Sequence, residues 1–192
     1  MKARKSQIEP DERDTINAAR RGDREAFRAL YDLYRDRVYN LIYYTTGDKL
    51  NAEDVLQIVF VKIYQGLPGF RFEASLATWI YRIALNECLN QQRGRNARHV
   101  PLEALLGSDD EMDGGVAADL QHAEGERREI ILRAVMELPP KLRAVVALRY
   151  LEDLSYEEIA LVLDCSPGTV ASRLNRALRD LEARLRPLRR LL

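Results

Sequence analysis

Apolar residues recur three and four positions apart along most of this 192-residue chain, which is the spacing of one face of an α-helix. Alternating strand patterns are nearly absent. Between Pro101 and about Ala123 the helical spacing stops, and Gly, Asp and Ala dominate. The sequence therefore predicts an all-α protein, with two small helical domains joined by a flexible acidic linker.

The first predicted domain consists of three amphipathic helices separated by breaks that contain glycine or proline. Residues that can cap a helix N-terminus precede each apolar stripe. The predicted helix starts are Asp23, Asn51 with Asp54 three residues on, and Ser75. The predicted ends are Gly47, Gly66 with Pro68, and the run Arg93-Gly94-Arg95. The intervening segment 66–74 is predicted to be a loop.

Charge is distributed unevenly although it sums to zero, with 30 Lys and Arg residues against 30 Asp and Glu residues. Lys and Arg do not occur between Arg98 and Arg127, which makes that stretch acidic. From Cys165 onward arginines outnumber acids, so the C-terminal end is locally basic. The total charge says nothing about nucleic acid, whereas the basic end is compatible with DNA binding.

The strongest local signal lies near the C-terminus, where two short helices are predicted. Ser155 and Glu158 have the spacing of a capping box, in which each side chain bonds the backbone amide of the other residue. Asp164-Cys165 forms the turn after this helix. Ser166 is a good cap for the next helix, and Pro167 fits its first position because that position needs no N–H donor.

The second helix of this pair has an apolar stripe and an outer face that is rich in arginine. The predicted buried stripe is Val170, Leu174, Leu178, Leu181 and Leu185. The predicted outward positions are Ala171, Ser172, Arg173, Asn175, Arg176 and Arg179. Short side chains at the start and arginines farther along suit a DNA major groove, so the pair is interpreted as a helix-turn-helix. The alternative is a plain helical hairpin with a solvated arginine face.

Several classes of protein are disfavoured by the composition. Cys88 and Cys165 lie far apart, and with His99 and His122 they give neither a zinc spacing nor a disulfide framework. No nucleophile–base pair, phosphate-cradling glycine loop or metal cluster is visible, so we expect neither an enzyme nor a cofactor. The polar N-terminus and the lack of an apolar run of about eighteen residues indicate a cytoplasmic protein without membrane insertion.

Motifs in both halves resemble the sigma-70 family of RNA polymerase subunits. The segments that resemble its minus-thirty-five-reading domain are Leu138-Pro-Pro-Lys-Leu-Arg143, Leu148-Arg149-Tyr150, Leu154-Ser-Tyr-Glu-Glu-Ile-Ala160, Gly168-Thr-Val170, Ser172-Arg-Leu174 and Arg176-Ala177. Ala52-Glu-Asp-Val-Leu-Gln57 with Phe60 resembles the family's polymerase-binding helix. Thr78-Trp-Ile-Tyr-Arg-Ile-Ala84 with Asn86 resembles its promoter-melting helix. Two motif sets in the family's order, without a further domain, indicate the extracytoplasmic-function group.

The resemblance implies both a domain organisation and a function. The expected division is an N-terminal segment 1–22, a polymerase- and minus-ten-binding domain 23–98, a linker 99–125 and a minus-thirty-five-binding domain 126–192. A protein of this kind binds core RNA polymerase, directs it to specific promoter DNA and helps to melt the minus-ten element. Relatives are commonly held inactive by an anti-sigma factor, which is a further expected partner.

The resemblance also implies which residues make each contact. Polymerase contacts are expected from Asp54, Gln57, Val61 and Lys62. Minus-ten contacts are expected from Phe70, whose ring would wall in a flipped base, and from Arg82, Asn86, Asn90 and Arg93. Minus-thirty-five contacts are expected from Arg149, Ser166, Thr169, Ser172, Arg173, Asn175 and Arg176. The family usually has an acid at the position of Ile58, and often a cation at the position of Ala171.

Some alternatives stay open at this level. On the promoter-melting helix, Tyr81 is expected to share the exposed flank of the polar residues, whereas Trp79 is expected to pack in the core. Packing is also the more common role for a lone loop phenylalanine such as Phe70. Two other functions fit parts of the chain: a stand-alone helix-turn-helix regulator of duplex DNA, and a helical protein that sequesters an anti-sigma factor.

Overall fold

The computed structural model describes residues 10–97 and 122–188, and these ranges are built from helices and the turns between them. The helices are α1 (Pro10–Arg20), α2 (Arg24–Thr46), α3 (Lys49–Gly66), α4 (Leu76–Ala97), α5 (His122–Met136), α6 (Pro140–Tyr150), α7 (Tyr156–Leu163) and α8 (Pro167–Leu185). Short 3-10 turns follow α3 and α8 at Leu67–Gly69 and Arg186–Leu188. The prediction of an all-α fold is confirmed. The predicted linker lies almost entirely outside the described residues.

Helix α1 lies against α2, although the sequence periodicity gave no helix before Asp23. Its residues Ile16 and Ala19 are buried, with 0% and 5% of their surface exposed. The hydroxyl of Tyr34 on α2 donates a hydrogen bond to Glu12 Oε1 at 3.2 Å. Because α1 contributes to the core, it belongs to the first helical body rather than to a separate leading segment.

The ends of α2 follow the sequence signals. The Asp23 carboxylate accepts hydrogen bonds from the backbone amides of Glu25 and Ala26 at 2.9 and 3.1 Å. Gly47 ends the helix in the left-handed region, with φ 76°, and its amide donates to Tyr43 O. Glycine adopts this backbone without a steric penalty, which explains why the helix stops there.

The start of α3 differs from the prediction. Helix α3 begins at Lys49, and Asp48 rather than Asn51 is its N-cap, accepting a hydrogen bond from Asn51 N at 3.0 Å. The reversal at Gly47 leaves Asp48 extended, so its carboxylate reaches the amide three residues on. Asn51 is consequently a buried residue of the first turn.

Helix α4 crosses the end of α3 at short range. Ser75 caps α4 as predicted, accepting a hydrogen bond from Thr78 N at 3.1 Å. A Cβ at Gly66 would lie 3.1 Å from the ring atom Cζ2 of Trp79. The absence of a side chain at Gly66 therefore allows the end of α3 to pack directly on the Trp79 ring.

In the C-terminal half, α6 is covered on every side. Pro139 precedes the helix, and Pro140 occupies its first turn, as expected from their missing N–H groups. A continuous run of seven residues from Leu142 to Leu148 is buried. Helix α6 achieves this by packing on α8 in its own half and on α2 in the other half.

The two helical bodies are in direct contact. Helix α7 packs on α4, and α6 packs on α2, so one continuous buried cluster runs through both halves. No helix in residues 10–97 or 122–188 is long and apolar enough to cross a membrane.

Candidate protein and nucleic-acid interfaces

The four residues expected to contact polymerase lie on one exposed flank of α3. Asp54, Gln57, Val61 and Lys62 are all exposed. Steps of three and four residues place the first three on the same side of the helix, and Lys62 lies at its margin. Val61 has 56% of its surface exposed, which is unusual for valine. Lys62 forms an ion pair with Glu87 of α4, so its ammonium group is oriented by the neighbouring helix.

An apolar groove lies beside this flank, between α2 and α3. Its volume is about 440 Å³, and Gln57 and Val61 form part of its wall. The remaining lining residues are Phe27, Tyr31, Leu56, Phe60, Tyr64 and Gln65. Ile58 is also on the surface, with 38% of it exposed. It therefore makes the surface of α3 more apolar and does not fill the core.

The loop between α3 and α4 is closed in this structure. Phe70 is buried, with 4% of its surface exposed, and its ring centroid lies 4.9 Å from that of Phe72 and 5.4 Å from that of Trp79. The ring thus packs within the domain and faces the other aromatic rings rather than solvent. Its expected contact with a flipped base stays a prediction, and it requires the Phe70 ring to turn out of this packing.

Polar residues of α4 do form an exposed flank. Arg82, Asn86 and Asn90 are exposed at intervals of four residues, and Arg93 lies farther along the same helix. The expectation for Tyr81 is wrong. Its side chain is fully buried because α7 of the other domain covers that side of α4.

Tyr81 belongs to a polar group at the domain boundary, which we call the interdomain cluster: Arg37, Tyr81 and Glu152. Arg37 Nε donates to Glu152 Oε2 at 2.8 Å, and the Tyr81 hydroxyl donates to the same oxygen. The side chain of Glu152 is 4% exposed. Burial, the hydrogen bond to Glu152 and the carboxylate charge raise the pKa of the Tyr81 phenol. The phenol is therefore a protonated donor at neutral pH.

A second polar contact joins the domains at Arg143. Its Nη2 donates to the carbonyl oxygen of Thr45 on α2 at 2.9 Å, and its Nη1 donates to Met136 O at 2.7 Å. A Cβ at Gly47 would lie 3.2 Å from Nη1 of Arg143. Burial lowers the pKa of the Arg143 guanidinium. The two carbonyl oxygens compensate part of the cost of burying this cation.

The C-terminal helix pair has the predicted capping. Ser155 N donates to Glu158 Oε2 at 2.8 Å, while Glu158 N donates to Ser155 Oγ at 3.2 Å, so the capping box is confirmed. The turn passes through Asp164 in the left-handed region at φ 48°. Ser166 caps α8, accepting from Thr169 N at 3.2 Å. Helices α7 and α8 therefore form a helix-turn-helix.

The outer face of α8 carries most of the predicted minus-thirty-five residues. Ser166, Ser172, Asn175 and Arg176 are exposed. Thr169 and Arg173 are partly exposed, and the Arg173 guanidinium approaches Cys165 Sγ at 3.8 Å.

Of the predicted buried stripe of α8, Val170 and Leu174 are buried, Leu181 and Leu185 are partly buried, and Leu178 is exposed. Leu178 is 39% exposed, and Ala177 is fully buried in its place. Steps of three and four residues from Val170 and Leu174 lead to Ala177 just as well as to Leu178. Leucine is the more apolar of the two residues, so the hydrophobic pattern predicts Leu178 rather than Ala177.

Arg149 has contacts within its own domain. Its Nη1 donates to Leu154 O at 2.9 Å and lies 3.6 Å from Asp153 Oδ1. Its guanidinium carbon is 6.0 Å from the centroid of the Tyr156 ring. These contacts stabilise the connection between α6 and α7, and an additional contact with DNA phosphate stays a prediction.

Comparison with known proteins identifies the family of each half of the chain. Sigma-70 region 2 matches residues 30–98, and Sigma-70, region 4 matches residues 128–181. The ECF RNA polymerase sigma-E factor of Escherichia coli (strain K12) is 35% identical over 182 residues, covering 90% of this chain and 93% of that protein. The RNA polymerase sigma-H factor of Pseudomonas aeruginosa is 35% identical over 182 residues, covering 91% and 94%. The chain belongs to the extracytoplasmic-function group of the sigma-70 family.

This sigma factor binds core RNA polymerase, directs it to specific promoters and helps to melt the minus-ten element. A stand-alone helix-turn-helix regulator is not favoured, because the matches extend over both domains and not over α7 and α8 alone. The helix-turn-helix lies in region 4, while the α3 flank, the loop and the α4 flank lie in region 2.

Solved structures of other proteins share the fold. The sigma factor RpoE, in complex with the anti-sigma factor NepR from Bartonella quintana, matches with a TM-score of 0.67 and 23% identity, covering 83% of this chain and 96% of that chain. CnrH, in complex with the cytosolic domain of CnrY, matches with a TM-score of 0.65 and 22% identity, covering 91% and 97%.

Sequence reasoning missed the residues that join the domains of this sigma factor. Arg37 and Glu152 are ordinary surface residue types, and nothing in the sequence pairs them. Arg143 carries a signal, because the other six residues between Leu142 and Leu148 are all apolar and cover every side of the helix. A short helix with apolar residues on every side must be covered on every side, which indicates a second packing partner.

Proposed function

We propose that three exposed faces divide the work of this sigma factor. The flank of α3 and its groove bind core polymerase, the α3–α4 loop with the flank of α4 holds the minus-ten strand, and α8 reads the minus-thirty-five duplex. The observation that supports this division is the presence of both matched regions, each with an exposed polar helix face, in one chain. The corresponding domains are residues 23–98, with α1 packed on them, and residues 126–192.

On the polymerase side, the groove between α2 and α3 fits an apolar side chain of the partner. Exposed Val61 and Ile58 extend the apolar surface, while Asp54 and Gln57 supply hydrogen-bonding groups at its edge. An apolar pocket with a polar rim is the arrangement found at the centre of stable protein interfaces.

On the promoter side, α8 enters the major groove of the minus-thirty-five element with its N-terminal half. Arg176 and Asn175 present donors and acceptors that can read base edges. Ser166 and Thr169 lie at the N-terminus of α8, where backbone amides and the helix dipole favour phosphate. In the minus-ten element, Asn86 and Asn90 face the separated strand and Arg82 neutralises its phosphates.

The two domains must separate for both elements to be bound at once. The minus-ten and minus-thirty-five elements lie about 25 base pairs apart, which is about 85 Å of B-form DNA. In this structure α7 packs directly on α4, with Tyr81 hydrogen-bonded to Glu152. Binding to polymerase therefore replaces the contacts of the interdomain cluster and of Arg143.

We further propose that an anti-sigma factor controls this protein in the cytoplasm, where polymerase and chromosome are found. The solved sigma factor RpoE, which shares the fold, is bound to the anti-sigma factor NepR, and CnrH is bound to the cytosolic domain of CnrY. The chemistry of RNA synthesis belongs to the polymerase, and this chain contributes binding and strand capture rather than catalysis.

Transcription from a randomised promoter library, with purified core polymerase, tests which surface of the protein binds which partner. Arg176→Ala should reduce base discrimination in the minus-thirty-five element by about tenfold, and Asn86→Ala should do so in the minus-ten element alone. Val61→Asp should weaken polymerase binding without altering either preference. Arg28→Ala, an exposed change on α2, is the control. If a variant changes base discrimination in the promoter element that is not assigned to its residue, the assignment of that residue is wrong.

A further inference from the structure

The α3–α4 loop contains a residue with an unusual backbone. Phe72 has φ 59°, in the left-handed region that bulky side chains rarely adopt. Glycine would adopt this conformation without steric cost. A conformation of this kind persists when surrounding contacts hold it, and such residues concentrate at functional sites.

Two arginines of α1 hold the Phe72 ring. The guanidinium carbons of Arg13 and Arg20 lie 5.1 and 5.4 Å from the ring centroid, within the range of cation–π attraction. Arg20 Nη1 also donates to Asn17 Oδ1 at 3.3 Å, which orients the guanidinium. Arg20 Nε is buried and has no hydrogen-bond partner among the described residues. The Phe72 ring thus contacts the partly buried side chain of Arg20 and the exposed side chain of Arg13.

The contacts of Phe72 continue to the start of α4. Its ring lies 4.9 Å from Phe70, which lies 5.4 Å from Trp79. Helix α1 also lies against the 3-10 turn that opens the loop. A continuous series of ring contacts therefore links α1 to the loop and to the promoter-melting helix. Residues 13 and 20 lie outside the segment that matches region 2, which begins at residue 30.

We propose that Arg13 and Arg20 are positioning residues for capture of the minus-ten strand, and that they act through Phe72. This inference rests on the proposed assignment of the loop to minus-ten DNA. The two cations hold Phe72 in its left-handed backbone and so fix the course of the loop before DNA arrives. A loop that is already ordered loses less entropy when it binds an unpaired base, which strengthens capture.

Charge-matched variants distinguish a role in minus-ten capture from a general contribution to the stability of the fold. The double variant Arg13→Gln/Arg20→Gln removes both cations, whereas Arg13→Lys/Arg20→Lys keeps them. Arg21→Gln removes one exposed cation from the end of the same helix and serves as the control. Phe72→Gly removes the ring and at the same time relieves the backbone.

Each variant is assayed by transcription with core polymerase from two libraries, one varied in the minus-ten element and one in the minus-thirty-five element. The double glutamine variant should reduce minus-ten base discrimination by about tenfold and leave minus-thirty-five discrimination unchanged. The double lysine variant should retain most of the minus-ten base discrimination of the wild type. A uniform loss across both libraries would indicate a merely structural role and overturn the proposal.

Phe72→Gly should reproduce the loss of minus-ten discrimination and leave minus-thirty-five discrimination unchanged. Full minus-ten discrimination in Phe72→Gly would also overturn the proposal. If the wild-type protein itself supports no factor-dependent transcription, the proposed function fails instead. If the wild type discriminates minus-ten bases and the double glutamine variant does so equally, only the positioning role fails.

Discussion

The phenolic hydroxyl of Tyr81 donates a hydrogen bond to the carboxylate of Glu152, and this contact joins the two DNA-binding domains. Arg37 donates to the same oxygen, so a buried carboxylate is stabilised by one cation and one neutral donor. A buried charge is tolerated only when such partners are present. The side of α4 that carries Tyr81 is therefore closed against α7 until the partners of Glu152 are separated.

Glu152→Gln should shift the free protein toward separated domains. The substitution keeps an oxygen that can accept from Tyr81 but abolishes the ion pair with Arg37. Because Arg37 is 43% exposed, we expect a cost to the closed arrangement of about 1–2 kcal/mol, less than for a fully buried pair.

Small-angle X-ray scattering measures this effect as an increased radius of gyration. Asp36→Asn is the matched control, because it breaks an ion pair with Arg35 whose two side chains are 55% and 84% exposed. Identical radii for Glu152→Gln and the control would show that the interdomain cluster does not hold the domains together.

Arg143→Ala should lower the free energy of unfolding by about 2–4 kcal/mol. The substitution leaves the carbonyl oxygens of Thr45 and Met136 without their donor and opens a space beside Gly47. Urea denaturation measures the change, with Arg179→Ala on the exposed face of α8 as the control. Equal losses in the two variants would mean that the buried guanidinium contributes nothing specific.

Cys88 should make the protein less stable in alkali. Burial raises the pKa of this thiol to about 12, above its ordinary value of 9.0. Between these values the unfolded chain loses the proton that the folded chain retains. The contribution of Cys88 is therefore fully present below pH 9 and falls as pH rises toward 12, by at most about 1.4 kcal/mol per pH unit.

Comparison of the wild type with Cys88→Ala isolates this contribution, since buried Tyr34 and Tyr81 also have raised pKa values. The free energy of unfolding should fall more steeply between pH 8 and pH 11 in the wild type than in the variant. Parallel curves would contradict a buried, protonated thiol. Thiol reagents should label the partly exposed Cys165 first.

Gly66→Ala should disturb the ring of Trp79. The added Cβ would lie 3.1 Å from the ring, so the ring must shift by a few tenths of an ångström. Because Trp79 is the single tryptophan of the chain, its fluorescence emission reports the shift directly. Gly69→Ala is the control, since a Cβ there would meet nothing within 4 Å. An unchanged emission maximum in Gly66→Ala would contradict the close approach of α3 and α4.

Local signals predicted the C-terminal helix pair well, because a capping box and a Ser-Pro start depend on a few neighbouring residues. The cap of α3 was misplaced by three residues, since Asp48 and Asn51 are equally good caps by residue type. Only the reversal at Gly47 decides between them. Leu178 was misplaced for a similar reason, because two residues at helical spacing competed for one buried position.

Contacts between distant segments were beyond sequence reasoning. The partners of Glu152 lie 115 and 71 residues away, and no periodicity links them. Burial of Tyr81 depends on α7, which the sequence placed in a separate domain. The apolar residues on every side of α6 are the sequence signal that this helix has a second packing partner.

The most direct measurement for the whole account is transcription by purified core RNA polymerase from randomised promoters, with and without this chain. Transcripts that depend on the chain should start downstream of two shared sequence elements about 25 base pairs apart, each read by one domain. The contradicting result is the absence of any chain-dependent transcript, combined with sequence-specific binding of the chain alone to duplex DNA.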